Sequence, residues 1–392
     1  MVRRLHASDI IPVDAQRATL IGRVWSNASG GPTVVLVDGE ILRDISEVSA
    51  TSAGLLEIPD LRGLITNRGR FPTLGRLDTF LSDGGNSGPA GTVLAPCDLQ
   101  AVKAAGVTFA DSMLERVIEE KAKGDAARAT HIRDQLRPII GDNLRGVKAG
   151  SSAARDVKVL LETLGLWSQY LEVGIGPDAE IFTKAQPMSA VGTGAIVGIN
   201  SISNWNNPEP EVVLAVNSRG EIVGVTLGND VNLRDVEGRS ALLLGKSKDN
   251  NASCAIGPFI RLLDDNFTLS DIDQMVVTLV VRGPDGFELT ADSPMSSISR
   301  PPTELVAHAI GPSHQYPDGF MLFLGTMYAP IQDRGSPGSG FTHAMGDEVR
   351  ISAPGLGTLI NWVNRCDAIS PWSFGTLSLM RNLAARGLIK NV

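Results

Sequence analysis

Short apolar runs closed by turn residues dominate the second half of the chain: EVVLAV (211–216), EIVGVTL (221–227), QMVVTLVV (274–281) and GFMLFLG (319–325). Their length and spacing predict strands of an irregular antiparallel sheet rather than the alternating helices of a parallel one. The first 90 or so residues read the same way, with strands in ATLIGRVW and TVVLVDGEILRDI and Asp38-Gly39 at a hairpin tip. Helical spacing appears in three places. Leu114, Val117 and Ile118, then Ile132 and Leu136, recur among many charges and mark a helical segment broken near Gly124. Val157, Leu160, Leu161 and Leu164 predict a second helix stopped by Gly165, and Leu377 to Leu383 a last one. The polar, glycine-rich SDGGNSGPAG (82–91) reads as a linker. The pattern predicts a mainly β, α+β protein with a small β-rich N-terminal domain over 1–91 and a larger domain over 92–392.

At 392 residues the chain is long enough for two such parts. A net charge of −8 without a sustained Lys/Arg run argues against nucleic acid or an anionic membrane as partner and leaves a small molecule. Neither an apolar leader nor a span of about 20 apolar residues is evident, so a cytoplasmic protein is expected. Cys97, Cys254 and Cys366 lack CxxC spacing and read as buried small apolar residues. The five histidines are scattered singly, so any metal should be hard and oxygen-bound. VGTGAIVG (191–198) spaces its glycines wrongly for a dinucleotide fingerprint and reads as a turn. RGSPGSG (334–340) reads as a surface loop.

The chemistry gathers around NNPEPEVVL. Strand side chains alternate, so Glu209 and Glu211 project to one side a few ångströms apart. Turning at NSRG with Asn217 opposite Gly220, the returning strand would set Glu211 against Thr226 and bring Asp230 to the same end. Three converging carboxylates with open coordination positions suit Mg2+, with Mn2+ as the alternative. Beyond Asp230 follow Arg234, Asp235 and the turn GKSKD with Lys246 and Lys248. A lysine beside an anionic substrate can bind its carboxylate or carry a proton.

EIFTK, EPE, GNDVNLRD, GKSKD, IGPF, FLGTM and GDEVRISAPGLGTLIN follow one another in an order that resembles the fumarylacetoacetate hydrolase superfamily, over about residues 95 to 390. The resemblance implies a mixed β-sandwich roll, a divalent metal on Glu209, Glu211 and Asp230, and a homodimer or higher homo-oligomer. Hydrolases of the family bring a histidine and a glutamate over the metal to activate water; here GVTFADSMLER puts Ser112 where the histidine would be and keeps Glu115. That departure disfavours C–C hydrolysis. The longer motifs are similar to the branch that dehydrates 2-keto-3-deoxy-pentonates to α-ketoglutarate semialdehyde in oxidative pentose catabolism.

A 2-keto acid chelated through its carboxylate and keto oxygens has acidified protons on carbon three, so a base and an acid complete the dehydration. Glu115 is the expected base and Lys246 the expected catalytic lysine, with Ser112, Lys184, Arg234 and Thr326 expected to bind substrate. The alternatives are hydrolase or aldolase-type cleavage of a 2-keto or 2,4-diketo acid to pyruvate, and a non-enzymatic metal- or ligand-binding protein.

Overall fold

The computed structural model describes residues 4–81, 88–136, 147–328, 330–335 and 340–389. Part of the predicted linker (82–87) and part of the RGSPGSG loop (336–339) lie outside the described residues.

The N-terminal strands are β1 (Leu20–Ser26), β2 (Gly31–Asp38), β3 (Ile41–Asp44), β4 (Thr73–Arg76) and β5 (Gly91–Leu94). Then come β6 (Ala101–Gly106), β7 (Glu180–Ala185), β8 (Ile196–Ile199), β9 (Asn206–Asn207), β10 (Pro210–Val216), β11 (Ile222–Asp230), β12 (Asn232–Leu233) and β13 (Cys254–Leu262). The last strands are β14 (Val276–Arg282), β15 (Glu288–Pro294), β16 (Phe320–Phe323), β17 (Glu348–Ala353) and β18 (Gly357–Arg365).

An eleven-stranded sheet runs β4-β3-β2-β1-β13-β11-β10-β16-β6-β7, with β5 also paired to β1, and a five-stranded sheet runs β15-β14-β17-β18-β8. Pairing is antiparallel except at β16–β6 and β18–β8. The expected boundary near residue 91 falls within the larger sheet, where β1 binds β2 and β5 on its N-terminal side and β13 directly. Arg23 on β1 is buried against Asp98 at 3.4 Å, and Asp98 in turn accepts from the amides of Ser52 and Ala53 at the start of a short helix.

Strand β10 shows why its apolar run is continuous rather than alternating. Val212, Leu214 and Val216 enter a core shared with Val277, Leu279 and Val281 of β14 and with Val349 and Ile351 of β17, which packs the two sheets face to face. Val213 and Ala215 enter a second core on the opposite face, beneath Leu55, Leu56, Leu61 and Ile65 of two short helices. The fold is thus a mixed β-sandwich with helices outside it. GFMLFLG supplies β16, buried throughout between β10 and β6, so this apolar segment is a core strand.

The charged segment forms helices Ala110–Ala122 and Ala126–Leu136, separated at Gly124. The helix around Leu161 spans Ser152–Thr163 with Gly165 beyond it, and the last helix spans Thr376–Ala385. No described helix is long and apolar enough to cross a membrane.

Candidate metal centre

The β10–β11 hairpin builds the site, in a register two residues away from the expected one. Glu211 lies opposite Gly228 and Val213 opposite Thr226. Gly220, at φ +79°, lets the NSRG turn close with an extra residue: its amide reaches Asn217 O at 3.0 Å, while Asn217 N reaches Glu221 O at 3.0 Å. A second irregularity between Ala215 and Val216 adds another one-residue slip. One slip would turn every side chain to the other face; two restore it. Asp230 therefore meets Glu209 directly, its amide donating to Glu209 O at 3.0 Å.

Glu209, Glu211 and Asp230 are buried, and each offers an oxygen within 4.8 Å of the others. One oxygen of each carboxylate is engaged by the protein. Arg116 Nη2 donates to Glu209 Oε1 at 2.5 Å, Lys184 Nζ lies 2.8 Å from Asp230 Oδ1, and the amide of Gly325 donates to Glu211 Oε2 at 2.6 Å. Gly325 is at φ +88° against Thr108, where a side chain would collide. Lys248 points inward instead, 2.5 Å from Glu209 Oε2 and 3.1 Å from Asp230 Oδ2. Three oxygen donors facing one point, in a buried cluster, fit a hard divalent cation.

Electrostatics agree. Burial, then the charges of Asp230 and Glu209, push Glu211 well above the ordinary carboxylate range. Burial works the same way on Asp230, but Lys184 and Lys248 outweigh it and hold that carboxyl below its ordinary value. Burial also disfavours a charged Lys248; Asp230, Glu209 and Glu237 reverse this and keep it protonated.

The cavity beside the trio is walled by Ser112, Arg116, Glu180, Phe182, Glu237, Lys248 and Thr326, among others. Burial raises Glu180, and raises Glu237 to about 7 against the opposing charge of Arg116. None of the described lining residues is a histidine.

Ser112 and Thr326 are in the wall as expected, each also bonded locally: Ser112 Oγ donates to Phe109 O at 2.8 Å, and Thr326 Oγ1 accepts from Tyr328 N at 3.2 Å. The other expected residues sit differently. Lys184 is fully buried behind Asp230, donating also to the carbonyls of Val231 and Lys248. Arg234 is buried against Glu119 at 2.6 Å and Glu115 at 2.9 Å, its guanidinium 4.4 Å from the Trp205 ring centroid. Glu115 is away from the cavity wall, held by Arg133 through two bonds of 2.7 Å and by Arg234. Lys246 is exposed, on the far side of its short helix from Lys248.

Arg116, Glu180, Glu237 and Lys248 are the site residues that the sequence reading did not select. A helical clue existed for Arg116: it lies four residues after Ser112 and so shares its face, whereas Glu115 is rotated about 100° from Arg116.

A model of the fumarylacetoacetate (FAA) hydrolase C-terminal family matches residues 177–364. The chain is 33% identical over 186 residues to 2-dehydro-3-deoxy-D-arabinonate dehydratase of Saccharolobus solfataricus, covering 47% of this chain and 59% of that protein. It is 32% identical over 195 residues to a probable 2-keto-3-deoxyxylonate dehydratase of Haloferax volcanii, covering 50% and 63%. The matches thus span about three-fifths of the length of these curated relatives. A solved structure of 2-keto-3-deoxyarabinonate dehydratase superposes with a TM-score of 0.59 at 21% identity, covering 88% of this chain and 99% of that one. Another, of 2-keto-3-deoxy-D-arabinonate dehydratase complexed with magnesium and 2,5-dioxopentanoate, gives a TM-score of 0.58 at 20% identity with the same coverage. These likenesses establish the fold. Glu209, Glu211, Asp230 and Lys248 all fall within residues 177–364, the stretch of the chain that resembles the fumarylacetoacetate hydrolase family.

Proposed function

We propose that the chain is a divalent-metal-dependent hydro-lyase that removes water from a 2-keto-3-deoxy-pentonate of the 2-keto-3-deoxy-D-xylonate type, giving 2,5-dioxopentanoate (α-ketoglutarate semialdehyde). The observation that carries this reading is a buried trio of carboxylates opening onto a wall that holds Ser112 and no histidine among its described residues. The relatives named above, and the magnesium and dioxopentanoate in one of the solved structures, support the same assignment.

Mg2+ on Glu209, Glu211 and Asp230 would polarise the substrate's keto group and acidify carbon three. The reaction then needs a proton taken from carbon three, loss of the carbon-four hydroxyl as water, and relocation of a carbon-five hydrogen so that carbon five becomes the aldehyde. We assign the proton acceptor to Glu180, whose half-buried carboxyl is raised above its ordinary value and lines the cavity. Lys248 is the cation poised to hold the substrate's developing negative charge and to donate a proton. Ser112 and Thr326 offer hydroxyls to the sugar-acid oxygens. These assignments take the places of Glu115 and Lys246, one locked between two guanidinium groups and the other exposed.

We also propose a homo-oligomer, most simply a homodimer. The helix Ser152–Thr163 and the residue after it leave Val159, Leu160 and Leu164 exposed at 63%, 43% and 51%.

Incubation of the protein with each 2-keto-3-deoxy-pentonate enantiomer, with and without Mg2+, tests the activity. An intact five-carbon aldehyde formed only with metal supports it. Pyruvate would mean cleavage, and an unchanged substrate a binding protein.

A further inference from the structure

Each carboxylate of the trio has one oxygen committed to the protein. Glu209 Oε1 is taken by Arg116 at 2.5 Å, Asp230 Oδ1 by Lys184 at 2.8 Å, and Glu211 Oε2 by the Gly325 amide at 2.6 Å. Only Glu209 Oε2, Asp230 Oδ2 and Glu211 Oε1 remain, and Lys248 already touches the first two. A carboxylate whose second oxygen is engaged this way binds a cation through one oxygen.

The Arg116 clasp is the most heavily built of the three. Besides Glu209, its guanidinium contacts Glu119 at 2.6 Å and Glu237 at 3.1 Å. Glu119 is itself fixed by Arg234 at 2.6 Å, and Arg234 by Glu115 at 2.9 Å. The fork therefore cannot swing away from Glu209 without unpairing buried charges, which is strongly disfavoured.

We propose that Arg116 is a positioning residue that sets the metal selectivity of the site: by occupying Glu209 Oε1 it enforces one-oxygen coordination and disfavours Ca2+ relative to Mg2+. Ca2+ takes six to eight oxygens, often with a bidentate carboxylate, at longer distances, whereas Mg2+ takes six in a tight octahedron and keeps waters. Three single oxygens leave a half-filled octahedron for waters or a substrate's oxygens. They leave Ca2+ short of ligands. The inference rests on the metal reading above and goes beyond it.

The test is direct metal binding by calorimetry, with Mg2+ and Ca2+ titrated separately into metal-stripped protein. Removing the guanidinium in Arg116→Gln makes the cluster more negative and strengthens both ions, so the readout is the ratio of the two affinities. That ratio should move towards Ca2+ by about tenfold, because Glu209 becomes free to bind through both oxygens. Glu237→Gln also changes the charge beside Arg116 but leaves the clasp in place, and should leave the ratio unchanged. A ratio within twofold of wild type in Arg116→Gln overturns the proposal while leaving the metal site intact; wild-type protein that binds neither ion overturns the metal reading instead. If Arg116→Gln does not fold, a crystal structure of wild-type protein with Ca2+ decides: Glu209 bound through one oxygen with Arg116 still on Oε1 supports the proposal, and a bidentate Glu209 with Arg116 displaced overturns it.

Discussion

Replacing Glu115 by glutamine separates two roles that a glutamate on this helix can play. Its carboxylate accepts three bonds, from Arg133 Nε and Nη2 at 2.7 Å each and from Arg234 Nη2 at 2.9 Å. An amide of the same shape has one acceptor arm, and its NH2 must face a guanidinium donor. Hydrogen bonds to charged groups contribute about 1.5–3 kcal/mol each, and Glu115 is partly solvated, so the loss should total about 2–4 kcal/mol. With an unfolding entropy of about 2.1 cal/mol/K per residue, a cooperative unit of 392 residues would lose about 2–5 °C in Tm. Chemistry should hardly change. The assay pairs a thermal melt with solvent-deuterium exchange into carbon three of a substrate analogue lacking the carbon-four hydroxyl, which isolates proton removal from dehydration. Glu115→Gln should melt early and exchange at close to the wild-type rate, whereas Glu180→Gln should exchange at least about a hundredfold more slowly. Exchange abolished in Glu115→Gln with an unchanged Tm would return Glu115 to the role of base.

Three other outcomes follow from the same geometry. Glu211 accepts from the Gly325 amide and has no cation partner among the described residues, so Glu211→Gln should lose most metal affinity with stability retained; Asp230→Ala leaves buried Lys184 without its carboxylate and Lys248 with Glu209 alone, and should cost about 3–5 kcal/mol as well. Calorimetry and melting of the two variants check this. Burial holds His343 below its ordinary value despite Asp347 at 3.0 Å, so the unfolded chain binds a proton that the folded chain refuses, and stability should fall as pH drops through about 6.5; the Tm difference between pH 7.5 and pH 5.5 should shrink in His343→Gln, and equal differences would contradict it. Burial pushes the thiol of Cys97 up to about 12, that of Cys366 to about 11 and that of Cys254 well above its ordinary value, so native protein should react slowly with a disulfide reagent at pH 8 and release three thiols on denaturation.

Where local pattern decided the structure, the sequence was readable. The hairpin tip at Asp38-Gly39, the break at Gly124 and the end of the helix near Gly165 all follow from glycine at a turn. The carboxylate trio was readable because strand alternation puts Glu209 and Glu211 on one side whatever the register, and because the two slips of the hairpin cancel in facing. Pairings between distant segments left no local mark. Nothing near Leu20 announces its partner Arg261 on β13, so the joining of the N-terminal strands to the larger sheet was not legible. The lysines show the same limit at the site. Lys246 and Lys248 stand in one motif, and only the placement of their short helix decides that Lys248 faces Glu209 while Lys246 faces water. Glu115 looked chemical because it is a carboxylate beside the site in sequence; Arg133 and Arg234, which claim it, come from elements whose packing cannot be read from that helix alone.

Carbon-13 NMR of a uniformly labelled 2-keto-3-deoxy-pentonate distinguishes metal-dependent dehydration on Glu209, Glu211 and Asp230 from cleavage and from metal-free chemistry. One sample receives Mg2+ and an identical one receives excess chelator. The Mg2+ sample should show a five-carbon product with an aldehyde, or its hydrate, at carbon five, and the other unchanged substrate. Labelled pyruvate in the first sample, or aldehyde at equal rates in both, would contradict metal-dependent dehydration.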